Sequence, residues 1–224
     1  VRGSYTCSGA PATGRYSARR VQMHNFSRDT YGEPEPIIER FKATGELPDS
    51  PMLALKRLLR PALQAAPGKR FICSDWSAIE GRALPWLTLD PECEEKLNLF
   101  RRGEDVYLAT ATDIYSDPVT EKSDPRRQVG KVAELALGYQ GGAGSFKAMG
   151  ANWGVHLESS EVDRVVHGWR AANPGIVRYW WAVELAALQA VDGPGKMIEV
   201  GRVALLFNKD LLGGTLWVKL PSGR

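Results

Sequence analysis

Two groups of residues in this 224-residue chain combine side-chain types that chemistry uses. The first is Asp75-Trp76-Ser77-Ala78-Ile79-Glu80. A carboxylate at the end of an apolar run suits Mg²⁺, which takes one or two carboxylates and completes its shell with water and substrate phosphates. A structural reading stands beside it. Ser77-x-x-Glu80 fits the capping box, in which Glu80 bonds back to a backbone N–H. Both readings stay open for Asp75, and they compete for the Glu80 side chain. The second group is Arg127, Lys131 and Tyr139. Arg127 and Lys131 are four residues apart, so on a helix they project from one face about 6 Å from each other. Like charges there repel, and a helix gains nothing from them unless something anionic lies across both. Tyr139 follows after a rise of about 12 Å along a helix axis, comparable to the span from a triphosphate to its base. The plain alternative is a solvated basic face and a core tyrosine. Gly138, Gly141, Gly142 and Gly144 surround Tyr139, but no G-K-[ST] follows, so this is not a P-loop.

A third feature lies near the start. Arg2, Arg15, Arg19, Arg20 and Arg28 precede the first acidic residue, Asp29, with Tyr5, Tyr16 and Phe26 interleaved. Together with Thr13, Ser17, Gln22, His24 and Asn25 they suit phosphates and sugar edges. A solvated loop is the equal alternative.

These residues need elements to carry them. Arg70 to Trp76 is β-rich and bounded by Pro67-Gly68, which predicts a buried strand ending at Asp75. A helix is predicted from about Ala78. Others are predicted at 37–43, 51–65, 92–101, 105–115, 125–138, 158–172 and 175–191, from apolar periodicity and start signals such as Ser50-Pro51. Val155 to Glu158 reads as the lead into one of them. Met197–Val200, Val203–Phe207 and Thr215–Leu220 are β-rich runs separated by turn residues. On the helices from Ser159 to Val191, the residues Val165, Val166, Trp169, Val177, Trp180, Trp181 and Leu185 read as core, and His156 and His167 as ordinary residues. The order of basic arm, strand, many helices, then strands suggests a helical insertion carried on a sheet.

Composition sets the outer limits. The chain has 29 Lys and Arg against 26 Asp and Glu, a net charge of +3, with 43% apolar and 25% charged residues. That balance excludes collagen, a disordered tail and a membrane bundle. Three cysteines, Cys7, Cys73 and Cys93, are too few and scattered for a disulfide framework or a zinc site, and a reducing cytoplasm is the expected setting. A start at Val1 and a stop after a strand-like run are expected of a piece of a longer protein.

Taken together, four blocks resemble the polymerase domain of family A DNA polymerases, the bacterial DNA polymerase I family and its phage relatives. Asp75-Trp76-Ser77-Ala78-Ile79-Glu80-Gly81-Arg82 is similar to motif A, D-Y-S-x-I-E-x-R. Arg127-x3-Lys131-x7-Tyr139 is similar to motif B. Thr13-Gly14-Arg15-Tyr16-Ser17 with Met23-His24-Asn25, and Asp105-Val106-Tyr107 with Ala109–Ala111, resemble the segments before and between them. The blocks occur in the family's order.

The resemblance implies an α+β fold, with helix-rich fingers inserted in part of an antiparallel palm sheet. The matching divisions are a basic arm and palm portion at 1–90, helical fingers at 91–195 and a β-rich return at 196–224. It implies template-directed DNA synthesis in the parent protein, from dNTPs onto a primer-template DNA. Two Mg²⁺ ions would clamp the attacking and leaving oxygens. Asp75 would hold the metal, and Arg127 and Lys131 would grip the triphosphate and act in catalysis. Glu80 would exclude a ribose 2′-OH, Tyr139 would close near the templating pair, and Tyr107 would lie near the phosphates. Arg15, Arg19, Arg20 and Asn25 would contact DNA. No membrane role is implied, and the bacterial cytoplasm is the expected location.

Three departures qualify this expectation. Tyr107 replaces a phosphate-binding His. Leu135 replaces an aromatic residue, and Gln140 follows Tyr139 where the family has Gly. Motif C, the His-Asp-Glu turn with the second metal-binding Asp, has no match in these residues, so this portion alone is expected to be inactive. The alternatives are a non-catalytic nucleic-acid-binding prophage remnant and a single-subunit RNA polymerase relative. Glu80 argues against the last, which must admit the 2′-OH.

Overall fold

A computed structural model describes residues 4–10, 13–19, 21–209 and 213–223. The chain forms two compact units, Val1–Ser74 and Asp75–Arg224.

The first unit is built mainly from local and polar contacts. Strands β1 (Tyr5–Thr6) and β2 (Ser17–Ala18) pair antiparallel. Helix α1 (Glu35–Thr44) ends where Gly45 takes φ 75°, a left-handed cap that glycine adopts without steric cost. Helix α2 (Pro51–Leu58) starts where Ser50-Pro51 predicts, but stops short of residue 65. Ala54 is the one buried hydrophobic among the described residues of this unit. Arginines supply much of the cross-linking. Arg57 pairs with Asp29 at 2.9 Å and Asp49 at 2.7 Å, and Arg60 donates to the carbonyls of Phe26 and Ser27 at 2.5 and 2.8 Å.

The predicted strand over Arg70–Trp76 does not form. The backbone there is irregular, and Ile72 and Trp76 are 88% and 80% exposed. A strand satisfies its backbone groups only through a neighbouring strand. Among the described residues, the sheets are β1-β2 and β3-β4-β5, and neither includes this segment.

The second unit holds the core. Helices α3 (Ile79–Thr88), α4 (Glu94–Arg101), α5 (Val106–Tyr115) and α6 (Pro125–Leu137) are followed by α7 (Ala143–Asn152), α8 (Ser159–Ala172) and α9 (Pro174–Asp192). Strands β3 (Met197–Val200), β4 (Val203–Asn208) and β5 (Thr215–Lys219) then form an antiparallel meander. The architecture is α+β. One apolar cluster joins α5, α6, α7, α8 and the start of α9 through Ile114, Val132, Leu137, Phe146, Val165, Trp169 and Ile176. A second joins the far end of α9 to the sheet through Ala186, Ala190, Val203 and Leu205. Three of these seven helices start on a side-chain cap. Asp105 accepts from the N–H groups of Tyr107 and Leu108, Asp124 from that of Arg126, and Glu158 forms a capping box with Glu161.

Two expectations need correction here. Helix α7 was not predicted, because Gly144 and Gly150 dilute its pattern. Trp181 and Leu185 are not core: they are 59% and 56% exposed, while Trp169 is buried and stacks on Trp180 with ring centroids 5.9 Å apart. Among the described residues, no helix is long and apolar enough to cross a membrane.

Candidate functional site around α6

Helix α6 forms because its sequence meets every local requirement of a packed helix. Asp124 caps it, Pro125 occupies the first turn, and Val129, Val132, Ala133, Ala136 and Leu137 repeat at helical spacing, all buried. Gly130 fixes how close it comes to α5. A Cβ at that position would lie 2.3 Å from the Tyr107 carbonyl oxygen. The two helices therefore meet almost backbone to backbone.

That close approach decides the surroundings of the basic residues. Arg127 donates from Nε and Nη2 to one oxygen of Asp105, at 2.9 and 2.7 Å, and lies 5.4 Å from the centre of the Tyr107 ring. The Lys131 ammonium sits 3.6 Å from the centre of the Trp153 ring. The anion that a pair of like charges calls for is thus supplied to Arg127 from within the fold, and Lys131 rests on an aromatic face. Burial pushes the Tyr107 hydroxyl above its usual pKa. The charge of Glu134 pushes it the same way, Arg127 opposes, and Asp105 and Glu80 add smaller upward contributions.

Beneath the basic face lies a buried hub. One oxygen of Glu134 accepts from Lys96 at 2.6 Å, from the Thr110 hydroxyl at 2.7 Å and from the Trp169 indole at 3.0 Å. Lys96 also donates to Asn173 at 2.8 Å. This network ties α6 to α4, α5, α8 and the residue preceding α9. Glu80, Lys96, Glu134, Tyr139 and Trp169 line a common small cavity.

The start of α3 departs from the capping-box expectation, because Ser77 does not hold the cap position. The helix begins at Ile79 with Ala78 as its cap residue at φ 47°, and no side chain caps it. The Ser77–Glu80 capping box is not formed. Instead Arg82 donates to the Ser77 carbonyl at 2.9 Å and lies 4.2 Å over the Phe100 ring, tying down the turn that follows Asp75. Asp75 itself stands on the exposed, irregular run just upstream, not at a strand end.

Tyr139 lies two residues past the end of α6 and is 66% exposed. The helical rise to it is therefore not continuous. Its neighbours are nevertheless held. The Trp180 indole donates to the Gly138 carbonyl at 3.0 Å, and Arg170 donates to the Gly141 carbonyl at 3.1 Å. Gln140 takes φ 61°, a left-handed conformation that glycine would adopt more freely.

The remaining site candidates belong to the first unit. Arg15, Arg19 and Asn25 are exposed, and the Asn25 amide donates to Gln22 at 2.6 Å. Arg20 lies outside the described residues. Among the described residues, no cluster of three or more His, Cys, Asp or Glu side chains could hold a metal by itself. Sequence reasoning missed Glu134, Asp105 as the partner of Arg127, and Trp153. Only Glu134 carried a signal: an acid inside the apolar run Val132–Leu137 has to find partners.

Comparison with known proteins gives these residues a context. No family model matches the chain. It is 36% identical to the DNA polymerase of Bacillus phage SP02 over 236 aligned residues, covering all of this chain and 34% of that protein. It is 31% identical to the DNA polymerase of Mycobacterium phage D29 over 76% of this chain and 28% of that protein. DNA polymerase I of Pseudomonas aeruginosa is 28% identical over 69% of this chain and 15% of its own length. The chain thus spans about a third or less of the relatives it matches.

Proposed function

The chain belongs with the phage and bacterial DNA polymerases, and from that premise we propose that it forms the dNTP-binding portion of a family A enzyme, with palm-edge and fingers elements. The parent protein would join a dNTP to a primer 3′-OH on template DNA. The observation that supports this reading is that Glu80 and Tyr139 come together beside α6, the helix that bears Arg127 and Lys131. In this reading Glu80 presses on the sugar of an incoming nucleotide and excludes a 2′-OH.

Each residue has a task in this reading. Lys131 and Arg127 neutralise the triphosphate, with Asp105 holding the Arg127 guanidinium in place until phosphate competes for it. Tyr139 offers an exposed ring to the base. A single carboxylate, Asp75, fits a Mg²⁺ that arrives already held by the nucleotide's phosphates, and does not fit a site formed by protein alone. The metal, when bound, supplies charge neutralisation at the reacting phosphoryl group, and in the complete enzyme two ions would act together. Arg15, Arg19 and Asn25 would contact primer-template DNA.

The test is equilibrium binding of a dNTP to this chain in Mg²⁺. Lys131→Ala is expected to weaken binding about tenfold or more, the scale of losing a charge-assisted phosphate contact. In a longer parent protein, Asp75→Ala should abolish primer extension and Glu80→Ala should relax discrimination against ribonucleotides. Nucleotide binding that is indifferent to Lys131 would refute the assignment of this face.

A further inference from the structure

We infer that Trp153 is a positioning residue for nucleotide binding: its indole face holds the Lys131 ammonium where it meets the triphosphate. The inference rests on the reading of Lys131 as a phosphate contact, and goes beyond it by assigning a residue outside the recognised motifs.

Trp153 is unusual among the tryptophans near α6. Trp169 is buried and Trp180 packs against the core, so both are explained by packing. Trp153 is 43% exposed, yet its backbone is tightly placed. It follows the end of α7, where the Gly150 carbonyl accepts from the N–H groups of both Trp153 and Val155 at 2.9 Å. Gly154 then turns the chain at φ 70°. Gly150 itself packs so closely on Val155 that a Cβ would lie 2.8 Å from the Val155 carbonyl oxygen. Phe146, 1% exposed, anchors α7 in the core beside α6. A rigid turn thus presents an aromatic face to one lysine on the neighbouring helix.

The contact at 3.6 Å brings the ammonium directly against the ring. A ring covers only one side of an ammonium, so the contact is compatible with a phosphate approaching from the opposite side and competing for the Lys131 N–H groups. Lysine has four rotatable side-chain bonds and loses much rotamer freedom on binding. Holding Nζ on a fixed ring removes part of that loss before the nucleotide arrives, the general benefit of preorganisation. Arg127 is held in the same manner by Asp105. Lys131 and Arg127 are therefore both held by partners from other parts of the fold.

The test measures binding of a base-labelled fluorescent dNTP to the 224-residue chain in Mg²⁺, by anisotropy, for four variants. Trp153→Leu keeps bulk and loses the π face. It should weaken binding about threefold to tenfold, the scale of a partly exposed cation–π contact. Trp153→Phe keeps a face and should stay within about twofold of the parent on the same scale. Lys131→Ala should weaken binding about tenfold or more. In the Lys131→Ala background, adding Trp153→Leu should change nothing further, because Trp153 acts through Lys131. If Trp153→Leu binds as well as the parent, or better, while Lys131→Ala is weak, the positioning role fails and the reading of Lys131 survives. If Lys131→Ala binds normally, both fail. If the two losses add, Trp153 acts independently of Lys131 and the inference is overturned.

Discussion

Helix α6 and the run from Arg70 to Trp76 carry equally distinct sequence signals, and the structure treats them oppositely. The run from 125 to 137 is helical with seven buried residues, while 70–76 is irregular and exposed. The difference lies in where backbone hydrogen bonds go. A helix satisfies its own N–H and C=O groups and needs only a partner for one face. A strand needs another strand beside it before any of its backbone is satisfied. Both runs bear residues proposed for the same chemistry. Lys131 and Arg127 sit on a helix packed within the second unit, whereas Asp75 stands on an exposed, irregular run just before the turn that Arg82 ties down.

The largest effect that would sharpen this contrast is expected at Glu134. Glu134→Ala leaves Lys96 buried with the Asn173 contact but without its carboxylate, and removes the acceptor of Thr110 and Trp169. Breaking a buried pair by deleting one partner costs about 3–5 kcal/mol. Urea unfolding should show that loss as a lower midpoint. A change below about 1 kcal/mol, the scale of an exposed ion pair, would show that the hub does not organise α6.

Much of this was legible in the sequence, for physical reasons that vary by element. Helix α6 was legible because Asp124, Pro125 and the apolar spacing from Val129 to Leu137 all report on local geometry. The meander β3-β4-β5 was legible because turn residues punctuate it: Gly201 between β3 and β4, and Gly213-Gly214 before β5. The residues Asp75, Glu80, Arg127, Lys131 and Tyr139 were joined into one set by their resemblance to the family's blocks, since spacing alone left each with a structural reading. Their partners were not legible. Asp105 meets Arg127 across 22 positions and Trp153 meets Lys131 across the α6–α7 turn, so neither pairing has a local signature. Trp181 and Leu185 show the converse failure. Helical spacing places them on a face, and periodicity cannot say whether anything covers that face.

A middle-sized effect is expected at Gly130, where the α5–α6 approach is decided. Gly130→Ala gains about 1 kcal/mol of helix propensity. Against that, the new Cβ would lie 2.3 Å from the Tyr107 carbonyl and 3.2 Å from the Ala111 side chain. Backbone oxygen cannot swing aside as a flexible side chain can, so the helices must separate. Overpacking of this kind costs about 1–3 kcal/mol. The net should be destabilising in a thermal melt, and nucleotide affinity should fall as Arg127 shifts from Asp105. A stabilised variant would mean that α5 and α6 slide apart freely, and that their spacing does not set the basic face.

The smallest effect is expected on the other side of the comparison, at Ile72. Its side chain is almost fully exposed and the backbone around it lies in no sheet among the described residues. Ile72→Ser therefore removes little buried area and opens no cavity, and surface substitutions of this kind fall within about 0.5 kcal/mol. Chemical denaturation of this chain should give the same midpoint for Ile72→Ser as for the unaltered chain. A drop of 2 kcal/mol or more, the scale of losing a buried aliphatic side chain, would mean that Ile72 is packed in solution. The run from Arg70 would then be ordered after all, and Asp75 would be anchored as firmly as the cations of α6.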